Sequence, residues 1–255
     1  MLREYIYLDR NRVEDFLSQQ EGGVSHSTRS TETDVGASVD AGINIGIAKL
    51  GSRLSAPGLS QEDLRRTTDV ALFERLYAHL GETDLHHVDD SSELHDGSMR
   101  QGELLELECE IVVSGMANLT GMLGEFQKLA PLMGDSLEGI EGIAAFLGDE
   151  IPVRFTVDDE VVAYSMLSPD GLRGDKSDLD GECTALCRVR KVVKSGKRVP
   201  LRKFAGMKLT PQQIEEMFSE VDFDDDSTGF HLDASASDYI AEGPCLIVTT
   251  VAVYR

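Results

Sequence analysis

The chain has no tryptophan, only four cysteines and seven prolines in 255 residues, and no apolar run of the roughly 20 residues that spans a bilayer. Each shortage removes a class of protein. The cysteines (Cys109, Cys183, Cys187 and Cys245) fall inside segments that read as strands. Three residues separate Cys183 from Cys187, which misses the two-residue gap of a zinc knuckle or redox pair, so all four read as buried free thiols. The opening MLREYIYLDR puts Asp9 and Arg10 where a secretory leader needs apolar residues, and a cytoplasmic location is expected. The sequence carries no phosphate loop of the form GxxxxGK[ST], no GxGxxG after a strand, no GxSxG elbow and no HExxH. That points away from the common nucleotide hydrolases, serine hydrolases and zinc proteases. It favours a protein that is not an enzyme, and it implies no cofactor.

Positive charge is scarce too: 24 Lys and Arg stand against 46 Asp and Glu, for a formal net charge of -22. Like charge repels at long range, so general affinity for nucleic acid or an anionic membrane is disfavoured. One stretch reverses the sign. Residues 183–208, CTALCRVRKVVKSGKRVPLRKFAGMK, hold nine bases, and no acidic residue lies between Glu182 and Glu215. The pattern reads as a β-hairpin, with Val189, Val192 and Val193 in the outgoing strand, a Ser195-Gly196 turn where glycine takes positive φ, and a return through Val199 to Leu201. Arg188, Arg190, Lys191, Lys194, Lys197, Arg198, Arg202 and Lys203 are the candidate anion-binding residues. Their partner would be an acidic protein patch, a phosphorylated small molecule or nucleic acid. Phe204 alone interleaves with the bases, so stacking of nucleobases has little support. A competing reading lays the ribbon against the chain's own acidic strand around Glu106, Glu108 and Glu110, since opposite charges pair well across strands.

The remaining pattern predicts an α+β fold: a mainly antiparallel sheet with helices packed on it, plus an N-terminal strand-helix element and a Gly/Ser-rich segment. Two regions are expected. Residues 1–82 hold a strand over Tyr5–Leu8, a helix carrying Val13, Phe16 and Leu17, the Gly/Ser-rich segment 24–58, and a helix from Ser60 with Val70, Phe73, Leu76, Tyr77 and Leu80 at helical spacing. Residues 100–255 form the main domain. There Leu105, Leu107, Cys109, Ile111 and Val113 alternate with Glu106, Glu108 and Glu110, predicting a strand with one core face and one carboxylate face. Helices follow over 118–130 and beyond Asp135. Strands are predicted over 151–157 and 161–167, then a turn at Pro169-Asp170-Gly171, a helix opened by Thr210-Pro211, and a final apolar strand over 245–254 that sits centrally. The first and last strands are expected to pair.

Three further features have chemical meaning. Asp84, His86, His87, Asp89, Asp90, Glu93 and His95 offer metal-capable groups, but in a predicted loop without a framework. Asp224, Asp226, Thr228 and Gly229 match positions 1, 3, 5 and 6 of a calcium loop, yet position 12 is Ser235 rather than the bidentate glutamate. Gly42 to Gly51 alternates Ile43, Ile45 and Ile47 with small residues, a segment suited to ordering against a neighbouring copy.

The two ends of the chain resemble a bacterial family of uncharacterised cytoplasmic proteins. YIYLDRNRVEDFLSQQEGG at 5–23, RRTTDVALFERLYAHL at 65–80 and the closing TTVAVYR at 249–255 carry the likeness in order and spacing. The resemblance implies a family member and brings no catalytic residue with it. The expected function is that of a non-enzymatic binding or sensor protein acting through protein contacts, with an anion met at the basic hairpin. The alternatives are a self-assembling structural protein using residues 36–51, and a metal-dependent enzyme of unknown type.

Overall fold

A computed structural model of the protein describes residues 3–20, 61–81, 85–92, 99–115, 148–202, 209–219 and 235–255. The Gly/Ser-rich segment with 36–51, the helices expected over 118–147, the calcium-like loop 224–229 and Lys203 lie outside the described residues. The chain divides into two compact units, one of residues 10–79 and one of residues 1–9 with 80–255.

In the smaller unit, helix α1 (Arg10–Gln20) buries Val13, Phe16 and Leu17, the spacing of one helical face. Helix α2 (Gln61–Leu80) buries Phe73, Leu76 and Leu80 and stops at Gly81, whose φ of 57° is the left-handed conformation that ends helices. Arg10 joins the two helices by donating to Asp69, a carboxylate buried at 4% exposure, over 3.0 Å. Burial of that charge is tolerable because it is paired.

In the larger unit the strands are β1 (Tyr5–Leu8), β2 (Leu85–Val88), β3 (Leu104–Val113), β4 (Ile151–Val157), β5 (Glu160–Leu167), β6 (Gly181–Val193), β7 (Arg198–Pro200), β8 (Ile240–Glu242) and β9 (Cys245–Tyr254), with helix α3 (Pro211–Ser219) between β7 and β8. β4 and β5 form a tight hairpin whose two turn residues, Asp158 and Asp159, both have positive φ, as a twist-matched two-residue turn requires. β3 pairs β4, β5 pairs β9, and β6 pairs β3 along one edge and β9 along the other. The sheet therefore closes into a five-stranded barrel, more than the simple, mainly antiparallel sheet expected from the sequence. In chain order its strands connect first, second, third, fifth, fourth and back to first, with only the third and fifth parallel. That is the ordering of an OB-type Greek-key barrel.

Closure has a visible cause. The apolar alternation of β3 is matched on every other barrel strand, so Leu105, Leu107, Ile111, Val153, Phe155, Ala163, Ala185, Val189, Leu246 and Val248 share one interior. Each large side chain sealed there contributes about 1.5–3 kcal/mol of apolar burial. Closing the sheet also satisfies edges that an open one leaves unpaired. Leu179, fully buried in the 3-10 turn Lys176–Leu179, belongs to the same core, while Thr250 donates inside to Ser165 Oγ and accepts a weak bond from Cys187. β1 extends the wall beside β9, as expected of the terminal strands, and β2 runs parallel to β3.

The predicted basic hairpin needs correction. β6 does leave through a tight turn, but β7 pairs with β8 and not with β6. The partner is set at the turn, where the Gly243 N–H donates to the Lys197 carbonyl and begins a ladder that puts Arg198, Val199 and Pro200 opposite Glu242, Ala241 and Ile240. The β7-β8 ribbon instead covers a second apolar cluster of Tyr164, Val193, Ala241, Cys245 and Ile247.

Candidate anion-binding site

Two irregularities build the basic surface. Along β6 the pairing with β9 runs from Arg188 opposite Thr249 to Val189 opposite Val248, then jumps to Lys191 opposite Ile247. Arg190 is the extra residue of a β-bulge, which bends a strand and re-aims its side chains. Strict alternation would send neighbours 190 and 191 to opposite faces. With the bulge, Arg190 and Lys191 are both exposed, Val189 stays in the barrel and Val193 enters the second cluster.

The turn beyond is braced. Lys197 donates its backbone N–H to the Lys194 carbonyl over 3.0 Å, and Gly196 between them has a φ of 70°, as the sequence led us to expect of that glycine. Gly243 holds the turn from the far side: its N–H donates to Lys197 O over 2.9 Å and its carbonyl accepts from Gly196 over 3.3 Å. A Cβ at Gly243 would collide with the Lys194 carbonyl, so only glycine fits this approach. Lys194 and Lys197 thus extend into solvent from a fixed backbone.

The eight predicted site residues separate into groups. Arg190, Lys191, Lys194 and Lys197 are exposed, and no described residue bonds to their side chains. Arg198 is committed elsewhere: it donates to Glu242 over 2.8 Å and to Glu215. The guanidinium holds the Glu215 carboxyl below its ordinary range, and the two carboxylates raise Arg198 in turn. Arg188 is half-buried and donates to the Gly102 carbonyl over 3.2 Å. Arg202 is half-buried with interactions of its own, near enough to Tyr239 to oppose the upward push that burial gives that phenol. Lys203 lies outside the described residues.

The competing arrangement, bases laid on the acidic strand, does not match the register. Glu106, Glu108 and Glu110 stand opposite Leu186, Thr184 and Glu182, the half of β6 that precedes the bases. Glu106 is not exposed as alternation predicted: it is buried at 6%, accepts from Tyr254 and lies 2.8 Å from His87 Nδ1. His87 belongs to β2, so this part of the His/Asp stretch is a strand rather than a loop. Among the described residues, no group of three His, Cys, Asp or Glu side chains is placed to hold a metal ion.

OB-type barrels commonly take ligands on the outer face of their second and third strands. Here those strands are β4 and β5, and the chain covers them itself. Asp238 accepts from Ser114 Oγ over 2.5 Å and pairs with Arg154 of β4 at 3.7 Å, and Tyr164 of β5 is buried against Ala241 and Ile247. Sequence reading missed this cover and the bulge. Only Gly243, beside Pro244 just ahead of the last strand, hints at a close approach.

The fold and site define a small closed-barrel protein with a braced, cation-bearing turn. The chain matches the family described as Domain of unknown function (DUF6414) over residues 2–254 and belongs to that family. No curated protein matches it. No solved structure matches it. No helix among the described residues is long and apolar enough to cross a membrane.

Proposed function

We propose that this is a non-enzymatic binding protein of the bacterial cytoplasm that works through protein contacts, and that Arg190, Lys191, Lys194 and Lys197 receive an acidic surface of its partner. The observation that carries the reading is the bulge beside the braced turn. It groups four exposed cations without carboxylate partners among the described residues, in a chain of net charge -22. A protein that needed these charges only for its own stability would pair them, as it pairs Arg198. Fixing the backbone beneath the lysines lowers the ordering cost of binding. No aromatic side chain lies among the four, which supports a carboxylate-rich protein surface over stacked bases.

The test is affinity purification of the tagged protein from its host, beside a variant with the four cations changed to serine. A companion protein retained by the first and lost from the second, with binding that weakens as salt rises, is the expected result. Identical companions from both would overturn the reading.

A further inference from the structure

The barrel wall carries a second chemically capable feature, remote in role from the cations. Cys109 of β3 and Cys183 of β6 are directly opposite each other in the antiparallel register, and both belong to the barrel's interior cluster. Opposed residues in such a ladder have Cα atoms about 4.5–5.5 Å apart, inside the roughly 4.4–6.8 Å that a disulfide spans. The neighbouring thiol of Cys183 raises Cys109, while the Cys109 thiol, with help from the Arg255 guanidinium and the Ile111 N–H, lowers Cys183. Arg255 is itself fixed by bonds to the carbonyls of Asp178, Asp180 and Glu182.

The other two thiols differ. Cys187 is fully buried, bonded to Thr250 and pushed up to about 12 by burial. Cys245 sits in the other apolar cluster, also pushed up to about 12 by burial. Cys109, Cys183 and Cys245 have 8%, 9% and 7% exposure, so the cross-strand register, and not exposure, singles out the pair.

We propose that Cys109 and Cys183 are a redox modification site, oxidised by hydrogen peroxide to a reversible cross-strand disulfide. The Cys183 sulfur attacks one peroxide oxygen and the O–O bond breaks. The departing hydroxide takes the thiol proton and leaves as water, with a sulfenic acid on Cys183. The Cys109 sulfur then attacks that sulfur, the S–O bond breaks, and hydroxide leaves with the Cys109 proton as a second water. Two thiols are oxidised and one peroxide is reduced. Directly opposed Cβ atoms lie about 4.5–5.5 Å apart, whereas a relaxed bridge places them near 3.8 Å. The bond therefore draws β3 and β6 together, and such bridges are easily reduced.

The full chain is treated with dilute hydrogen peroxide, quenched, and read by intact mass and by peptide mapping without reductant. The expected result is loss of two hydrogen atoms, a peptide linking Cys109 to Cys183, return to the starting mass with dithiothreitol, and a higher Tm for the linked form. Cys187→Ser should keep the link, and Cys109→Ser should lose it. Retention of all four thiols, a different pairing, or oxygen added to Cys183 with no link overturns the proposal. The map of the unsubstituted protein decides the matter even if a variant folds poorly.

Discussion

β6 is one strand with two environments. From Cys183 to Val189 it lies between β3 and β9, and every second side chain enters the barrel: Cys183, Ala185, Cys187 and Val189. From Arg190 onward β3 has ended, the bulge has shifted the phase, and cations face solvent. The lesson is that display depends on the strand outrunning its neighbour. The same basic residues placed six positions earlier would stand against β3 and its carboxylates.

The sharpest way to break that contrast is to put charge in the wrong half. Val189→Asp buries a carboxylate at a position with 1% exposure and no described counter-charge, and should cost at least about 3 kcal/mol. Lys191→Asp, two residues on, should stay within about 0.5 kcal/mol. Urea denaturation followed by circular dichroism compares them, and equal costs would mean that the two halves are not distinct. Deleting Arg190 attacks the boundary itself. Removing the extra residue leaves Lys191 outward and Val192 toward the barrel in plain alternation, but takes away one of the four cations together with the bend that aims the rest, with an expected cost of about 1 kcal/mol. Partner binding should disappear with it. A deletion as stable and as active as the parent would show that the bulge has no role.

Smaller effects sharpen the comparison. Gly243→Ala forces a methyl onto the Lys194 carbonyl and should destabilise by about 1–3 kcal/mol. Because that contact braces the turn, binding should weaken while all four cations remain. A normal affinity with a lowered Tm would separate the brace from the site. Changing the four cations to serine should leave stability within about 0.5 kcal/mol per site, since exposed unpaired charges contribute little to the folded state.

Much of this was legible in the sequence where one residue type fixes one local outcome. The alternation of β3, the positive φ of Gly196 and the helix opened at Thr210-Pro211 follow from period, turn chemistry or capping, while the pairing of β1 with β9 was expected only because chain ends usually lie close together. Thr210 and Gln213 complete that helix start by exchanging side-chain and backbone bonds. Barrel closure was not legible, because an interior face reads the same whether a sheet is open or shut. Nor was the partner of β7: Val199 and Leu201 indicate an apolar contact, but nothing local reveals that β8, beyond the next helix, supplies the other strand. The site was half legible. Composition located the cations, and only the register distinguishes the four that are displayed from Arg188 and Arg198, which the protein uses itself.

The smallest expected effect concerns Arg198, the base that was paired rather than displayed. Its guanidinium depresses the Glu215 carboxyl, so the folded state binds a proton there less readily than the unfolded chain does. Stability from this pair is therefore present above the unfolded carboxylate range and is lost as pH falls through the lower folded value. Both groups are exposed, and solvent screens them, so the contribution is slight. Glu215→Gln should flatten the acid end of the Tm-against-pH curve by a small amount and leave neutral-pH partner binding unchanged. If it instead strengthened binding, Arg198 would have been released into the cation cluster, and the displayed bases would number five rather than four.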